Sequence, residues 1–235
     1  MTPLKSGMSS PPAETIDYSR KKAHYQRDQV ATVYDEIRWS SPSRRWSNRR
    51  KLQAVAKAVD HAAELGSPIR TALDLPCGTG RIFPVLFSRD IQVTGADLSS
   101  EMMKVARDKS GDTLVQKGFI RCDAESLPFQ GDGFDAVFSI RFLFHLPEAV
   151  RQRALSEMAR VSRKWVIVDY RHRHTLKYRL KHLQGQLGLP SKPSSRLSRE
   201  EIAEDFRQAG LELISIFPTF PLFSDKWVIL GRKTR

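Results

Sequence analysis

The sequence predicts an α/β fold: a doubly wound, mostly parallel seven-stranded sheet with an antiparallel C-terminal strand and an N-terminal helical cap. Three observations predict it. From residue 70 onward, short apolar runs alternate with helical patterns. Those runs are almost continuously apolar, as strands covered on both faces are. The last two runs are joined by a short Pro-containing loop, which suits antiparallel neighbours and is too short for a parallel crossover. Right-handed crossovers between the other strands make the sheet a doubly wound, Rossmann-type layer.

Each element has its own local warrant. Strands are expected at 71–75 (TALDL), 91–96 (IQVTGA), 118–122 (GFIRC), 134–140 (FDAVFSI) and 164–170 (KWVIVDY), each ending at or beside a polar or acidic residue. Between them, 81–89, 100–109 and 147–161 carry helical patterns. Ser198 and Glu201 stand in capping-box spacing before a helix that Gly210 stops, and strands 211–218 and 225–233 follow. The expected organisation is a tail over 1–15, a basic helical cap over 16–66, and the Rossmann-like domain over 67–235 with a basic insertion at 171–197.

Composition narrows the setting. The chain has 235 residues, 40% of them hydrophobic, enough for one large core. No run reaches the roughly 18 apolar residues of a membrane-spanning helix. The first residues lack a signal peptide's apolar centre. Two cysteines, Cys77 and Cys122, make no disulfide framework. A cytoplasmic protein is expected, with peripheral contact at the inner membrane face compatible with its charge. That charge, +13, is confined: residues 1–57 hold 12 Lys/Arg against 5 Asp/Glu, and residues 171–196 hold 7 Lys/Arg and no acid. Such clustering suits an anionic partner better than general solubility does.

The stretch ALDLPCGTGR, 72–81, points to chemistry. Gly78 and Gly80 lack a Cβ, so a ligand can lie against the backbone directly after a strand. Asp97 follows Asp74 by 23 residues, the interval at which a carboxylate takes a ribose hydroxyl pair. Asp123 ends the third strand, where an acid can accept from an adenine amino group. A nicotinamide dehydrogenase would need a third glycine three residues after Gly80, and Phe83 stands there.

Over roughly residues 45–235 the chain resembles the class I S-adenosylmethionine (SAM)-dependent methyltransferases. LDLPCGTGR, GADLSSEMM, CDAESLPFQGDGFDAVFS and the final hairpin fall in that family's order. The resemblance implies that Asp74 and the turn Cys77-Gly78-Thr79-Gly80 cradle the amino-acid part of SAM. It implies that Asp97 holds the ribose, Leu98 and Met102 flank the adenine, and Asp123 with Ala124 meets its edge. The family motif has glycine where Pro76 stands. Proline fixes φ and lacks an N–H, so this loop must tolerate both.

His145 follows the fourth strand, at the carboxyl end where an acceptor approaches, and is a candidate base; Tyr170, His172 and His174 follow the fifth. The Asn/Asp-Pro-Pro-Tyr motif of amino-methylating relatives is replaced by SIRF, and Pro76-Cys77 sits in the cofactor turn, where a nucleophile would be misplaced. The FDAVFS and FHL segments look most like the small-molecule and quinone-type branch. Arg44, Arg45, Arg49 and Arg50 crowd together beside Trp39 and Trp46, a grouping suited to phosphate or carboxylate. Leu176, Leu180, Leu183 and Leu187 mark an amphipathic helix with a basic face.

The expected function is methyl transfer from SAM to a small, anionic or lipid-linked acceptor, glycolipid or quinone-like. The alternatives are an RNA methyltransferase, or a SAM-binding regulatory or assembly protein with a nucleotide effector or protein partner at the arginine cluster. Nucleic acid ranks below the small acceptor, and no metal is expected.

Overall fold

Alternating apolar runs become one seven-stranded sheet in the computed structural model, which describes residues 41–110, 118–173, 175, 196–220 and 224–234. Its strands are β1 (Thr71–Asp74), β2 (Gln92–Asp97), β3 (Phe119–Arg121), β4 (Phe134–Ser139), β5 (Ser162–Arg171), β6 (Leu211–Pro218) and β7 (Lys226–Lys233). They lie in the order β3-β2-β1-β4-β5-β7-β6. The pairs from β3 through β5 are parallel, and β7 runs antiparallel to both β5 and β6. The strand order reverses where β1 meets β4, so the carboxyl ends of those strands open the crevice in which such sheets bind ligands.

Five helices cover the sheet among the described residues: α1 (Pro42–Glu64), α2 (Phe83–Phe87), α3 (Ser100–Ser110), α4 (Glu148–Val161) and α5 (Arg199–Gln208). Val55, Ala58, Phe83, Leu86, Met103 and Ala106 from α1, α2 and α3 pack with Trp165 and Ile167 on one face. Leu155, Met158, Ile202 and Phe206 from α4 and α5 pack with Val166, Val168 and Tyr170 on the other. Odd and even positions of β5 thus go to opposite layers, as strand pleating requires.

Local signals account for the helix ends. Ser41 is extended and its Oγ accepts from the Arg44 N–H at 3.4 Å, with Pro42 in the first turn of α1. The capping box of α5 is complete: Glu201 N–H donates to Ser198 Oγ at 3.1 Å and Ser198 N–H to Glu201 Oε2 at 2.5 Å. Gly210 then turns the chain with φ +71°.

Of the expected cap over 16–66, the described part is α1, which packs on the sheet. Lys51, Ala54, Val55, Ala58, Val59 and Ala62 recur along α1 at helical spacing and are buried against the sheet. Burying each valine is worth about 1.5–3 kcal/mol, so the second half of α1, which ends at Glu64 just before the boundary expected at residue 66, belongs to the core. The tail over 1–15, Trp39, His174 and the basic helix expected around Leu176–Leu187 lie outside the described residues. Among the described residues, no helix is long and apolar enough to cross a membrane.

Candidate active site

A cleft opens at the carboxyl ends of β1, β2 and β4, with α1 along its side. Asp74, Pro76, Cys77 and Gly78 line it from the first turn, and Asp97, Leu98 and Met102 from the end of β2 and the start of α3. Cys122, Asp123 and Ala124 follow β3. Ile140, Arg141, Phe142, His145 and Leu146 come from the loop after β4, which ends in a single 3₁₀ turn, Leu143–His145.

The glycine turn divides its labour. Gly78 has φ +52°, and a Cβ added there would meet nothing within 4 Å. It combines a left-handed backbone with open space on the cleft, as a ligand cradle demands. Gly80 has φ +71°, but a Cβ there would lie 2.9 Å from Phe83 Cδ2 and 3.2 Å from Ala106 Cβ. Gly80 and the buried Thr79 do not line the cleft. Gly80 lets Phe83 of α2 pack close to the turn, so of the two glycines expected to face a ligand only Gly78 lines the cleft. The Leu75–Pro76 peptide is cis. Cys77 N–H donates to Ala96 O at 2.8 Å, holding the turn against β2.

Asp97 joins the two sides of this end. Its Oδ2 accepts from Gly78 N–H at 2.8 Å and its Oδ1 from Ser99 N–H at 2.9 Å. Each oxygen retains a lone pair for a further donor. Burial raises the Asp97 carboxyl, while the N–H groups of Ser99, Gly78 and Leu98 pull it back. Asp74 is pushed well above the usual carboxylate range by burial and then by the charge of Asp97. Burial also raises both thiols, Cys77 well above its usual value and Cys122 to about 11, so neither is a thiolate nucleophile. Asp123 Oδ1 accepts from Glu125 N–H at 3.1 Å, which fixes the turn after β3.

At the other end the structure brings together residues that the sequence reading missed. Lys51 and Asn48 of α1 line the cleft opposite His145 and Arg141. The Lys51 ammonium pairs with the buried carboxylate of Asp169 on β5, and Asp169 Oδ1 accepts from Arg141 N–H. The signal was present: an acid closes the apolar run KWVIVDY at a strand's carboxyl end.

Tyr170 does not join the cleft. Strand pleating turns it to the face opposite Asp169, where it is 1% exposed and donates to Asp205 Oδ2 at 3.1 Å. Burial and the Asp205 charge hold its phenol well above the ordinary value, so it stays protonated there. His172 is also drawn away, stacked on Trp227 at 3.7 Å with Nε2 2.9 Å from Ser224 O. Of the four arginines expected to act together, Arg44, Arg45 and Arg49 are exposed on α1, and only Arg50 turns inward, away from the cleft.

Residues 72–164 match the protein family described as methyltransferase domain. Probable tRNA methyltransferase 9B of Mus musculus is 26% identical over 149 residues, which are 63% of this chain and 28% of that protein. An O-methyltransferase of Penicillium expansum is 30% identical over 182 residues, 68% of this chain and 60% of its own length. The chain thus spans less than two thirds of either relative. Among solved structures, magnesium protoporphyrin IX methyltransferase from Synechocystis PCC 6803 with bound SAH shares the fold, with a TM-score of 0.68 at 18% identity, covering 88% of this chain and 98% of that one. The matched residues include Asp74, Gly78, Asp97, Asp123, Arg141 and His145. Lys51 reaches the cleft from outside the matched residues and is held there by the buried Asp169, which also lies outside them.

Proposed function

We propose that the protein is a SAM-dependent methyltransferase whose acceptor is an anionic small molecule or lipid-linked group. One observation carries this reading: a single cleft gathers Gly78, Asp97 and Asp123 at one end, and Lys51, Arg141 and His145 at the other. The first end suits the cofactor. Gly78 leaves room beside the backbone, Asp97 has acceptor capacity left for a ribose diol, and Leu98 and Met102 offer apolar walls for a ring. Asp74 adds an acid for the cofactor's cationic end.

When bound, SAM supplies an electrophilic methyl group on a sulfonium. The chain's own work is orientation, water exclusion and proton removal. Phe142, Ile140 and Leu146 form apolar wall, Arg141 brings a cationic side chain that suits an anionic acceptor, and His145 is placed to accept the acceptor's proton. The test is incubation of the protein with isotopically labelled SAM and fractionated small-molecule and lipid extracts, reading +14 Da products by mass spectrometry. Labelled product with the intact protein and none with Asp97→Ala supports the reading; no product in either fraction overturns it.

A second reading rests on the three exposed arginines of α1 and on the name of the mouse relative. An RNA acceptor would be gripped by Arg44, Arg45 and Arg49 through its phosphates, and its affinity would fall steeply with salt. Labelled RNA in the same experiment would favour it.

A further inference from the structure

Beside the cleft, on the other side of α1, lies a second cavity of about 360 Å³. Trp46, Ser47 and Arg50 of α1 line it, with Thr219, Phe220, Ser224 and Asp225 of the β6–β7 connection, and Thr175 and Arg196. Among the described residues it shares no lining residue with the cleft. Helical spacing explains the division, since Asn48, Lys51 and Leu52 face one way while Trp46, Ser47 and Arg50 face the other.

The cavity contains a cation held in place with part of its bonding unmet. The Arg50 guanidinium lies 5.5 Å from the Trp46 ring and 5.4 Å from the Phe220 ring, and the two rings meet edge to face at 5.4 Å. Aromatic flanks fix a guanidinium without neutralising it. Its Nε is buried and has no hydrogen-bond partner among the described residues. A buried donor left unmet costs about 1–3 kcal/mol, so native proteins seldom leave one without a partner.

Among the described residues, the surroundings hold more cations than carboxylates. Arg171 and Lys226 stand opposite each other in the β5–β7 ladder, a placement of like charges that destabilises a sheet. Burial, and then the Lys51 charge, hold the Lys226 ammonium below its usual value. Arg171 also carries a buried Nε without a partner among the described residues. Among the described residues, two carboxylates answer these cations. Asp169 is taken by Lys51, and Asp225 by Arg196 through bonds of 3.0 and 2.8 Å to one oxygen. The cavity's own acid is therefore already matched. A water molecule would satisfy the Arg50 Nε but would leave its charge uncompensated; an oxyanion would do both.

We propose that this cavity is a second binding site, for an oxyanion carried on a flat ring. The oxyanion seats on Arg50, and the ring lies on Trp46, whose side chain is otherwise a large apolar surface 52% exposed to solvent. The site stands independently of the methyl-transfer reading, because no residue of the cleft takes part in it. It also adjoins the cleft. Lys226 donates to Ser47 Oγ at 3.3 Å, and Ser47 lines this cavity one residue before Asn48 lines the other, so one turn of α1 borders both.

The test uses inorganic phosphate and phenyl phosphate as probes on the full chain, at ionic strength held constant with sodium chloride. The readout is the arginine Nε–H region of a ¹H–¹⁵N spectrum, with the Arg50 signal assigned by its disappearance in Arg50→Lys. Both probes should move the Arg50 signal saturably, phenyl phosphate with about tenfold tighter affinity through the ring. Arg50→Gln should weaken both by about tenfold or more, and Trp46→Ala should erase the advantage of phenyl phosphate. If Arg50→Gln fails to fold, Arg50→Lys and Trp46→Ala carry the comparison. The proposal is overturned if neither probe moves the Arg50 signal, or if every variant binds phenyl phosphate as the intact protein does.

Discussion

Lys51 of α1 and Asp169 of β5, 118 residues apart in the chain, meet in a buried ion pair beside the cleft. The second oxygen of Asp169 accepts from the backbone N–H of Arg141, a residue held at φ +70°. One carboxylate therefore ties the N-terminal helix to the loop that carries His145. Position 141 is left-handed without being glycine, a conformation that neighbouring structure has to enforce. Asp169 supplies that enforcement.

Lys51→Met should destabilise the protein by about 3–5 kcal/mol, because it leaves the Asp169 carboxylate buried without a cation. Adding Asp169→Asn should recover much of this loss, since the amide oxygen still accepts from Arg141 N–H and no charge remains. Urea denaturation of the single and double variants measures both. A double variant no more stable than Lys51→Met would show that packing by the lysine stem, and not the pair, holds α1 in place.

Gly78→Ala and Gly80→Ala should separate binding from folding. Both place an L-residue at positive φ, costing about 1–2 kcal/mol. Gly80→Ala also drives a methyl against Phe83 and Ala106, adding about 1–3 kcal/mol of overpacking. Gly80→Ala should therefore melt lower while its folded fraction binds SAM normally. Gly78→Ala should melt nearer the parent and lose at least about tenfold in SAM affinity by calorimetry. The reverse ranking would return Gly80 to the ligand.

Much of this arrangement was legible in the chain, for identifiable reasons. Leu211, Leu213, Ile214, Ile216 and Phe217 form an apolar-rich run between Gly210 and a Pro-containing loop, so β6 was read at its observed bounds, 211–218, and the Ser198–Glu201 box fixed the start of α5. The acids that line the cleft, Asp74, Asp97 and Asp123, were legible because each sits at or just past a strand's carboxyl end. What failed was direction. Tyr170 and Asp169 are neighbours in sequence, but pleating sends them to opposite faces, and the reading chose the wrong one. Arg44, Arg45, Arg49 and Arg50 looked like one cluster, yet a helix rotates each residue by about 100°, so of the four Arg50 alone lines either of the two described cavities. Lys51 was unreadable for a different reason. Its partner is 118 residues away, and no local pattern announces a contact of that range.

His145→Ala and Tyr170→Phe should part company in kinetics. His145 lines the cleft, so its loss should lower kcat by about 10²-fold and leave SAM affinity unchanged. Tyr170 only donates to Asp205, which also binds Arg151 at 2.6 Å and Gln152 at 2.5 Å. Removing its hydroxyl should cost about 1 kcal/mol of stability and leave kcat alone. Steady-state rates and thermal melts decide. Turnover lost with the phenylalanine and kept with the alanine would exchange their roles.

The acids of the cleft should make cofactor choice depend on pH. Asp74 is raised well above the usual carboxylate range, first by burial and then by Asp97, and Asp97 is itself raised by burial. In the free protein these groups hold protons that the unfolded chain releases near pH 4. The folded state therefore binds more protons, and their contribution to stability is present below that value and lost as pH rises through the folded pKa. A cationic ligand reverses the preference locally, because it favours the ionised carboxylates. SAM carries a sulfonium, whereas SAH carries a neutral thioether, so only the SAM affinity gains this added attraction. The ratio of SAM to SAH affinity should rise with pH from the usual carboxylate range upward, and SAM binding should release protons as it does so. Calorimetry from about pH 5 to about pH 8, in buffers of different ionisation enthalpy, reads both quantities. Asp74→Asn should flatten the trend while the protein stays folded, since a neutral amide replaces a largely protonated acid. A ratio that is constant across this range, with no proton release, would mean that Asp74 does not sense the cofactor's charge.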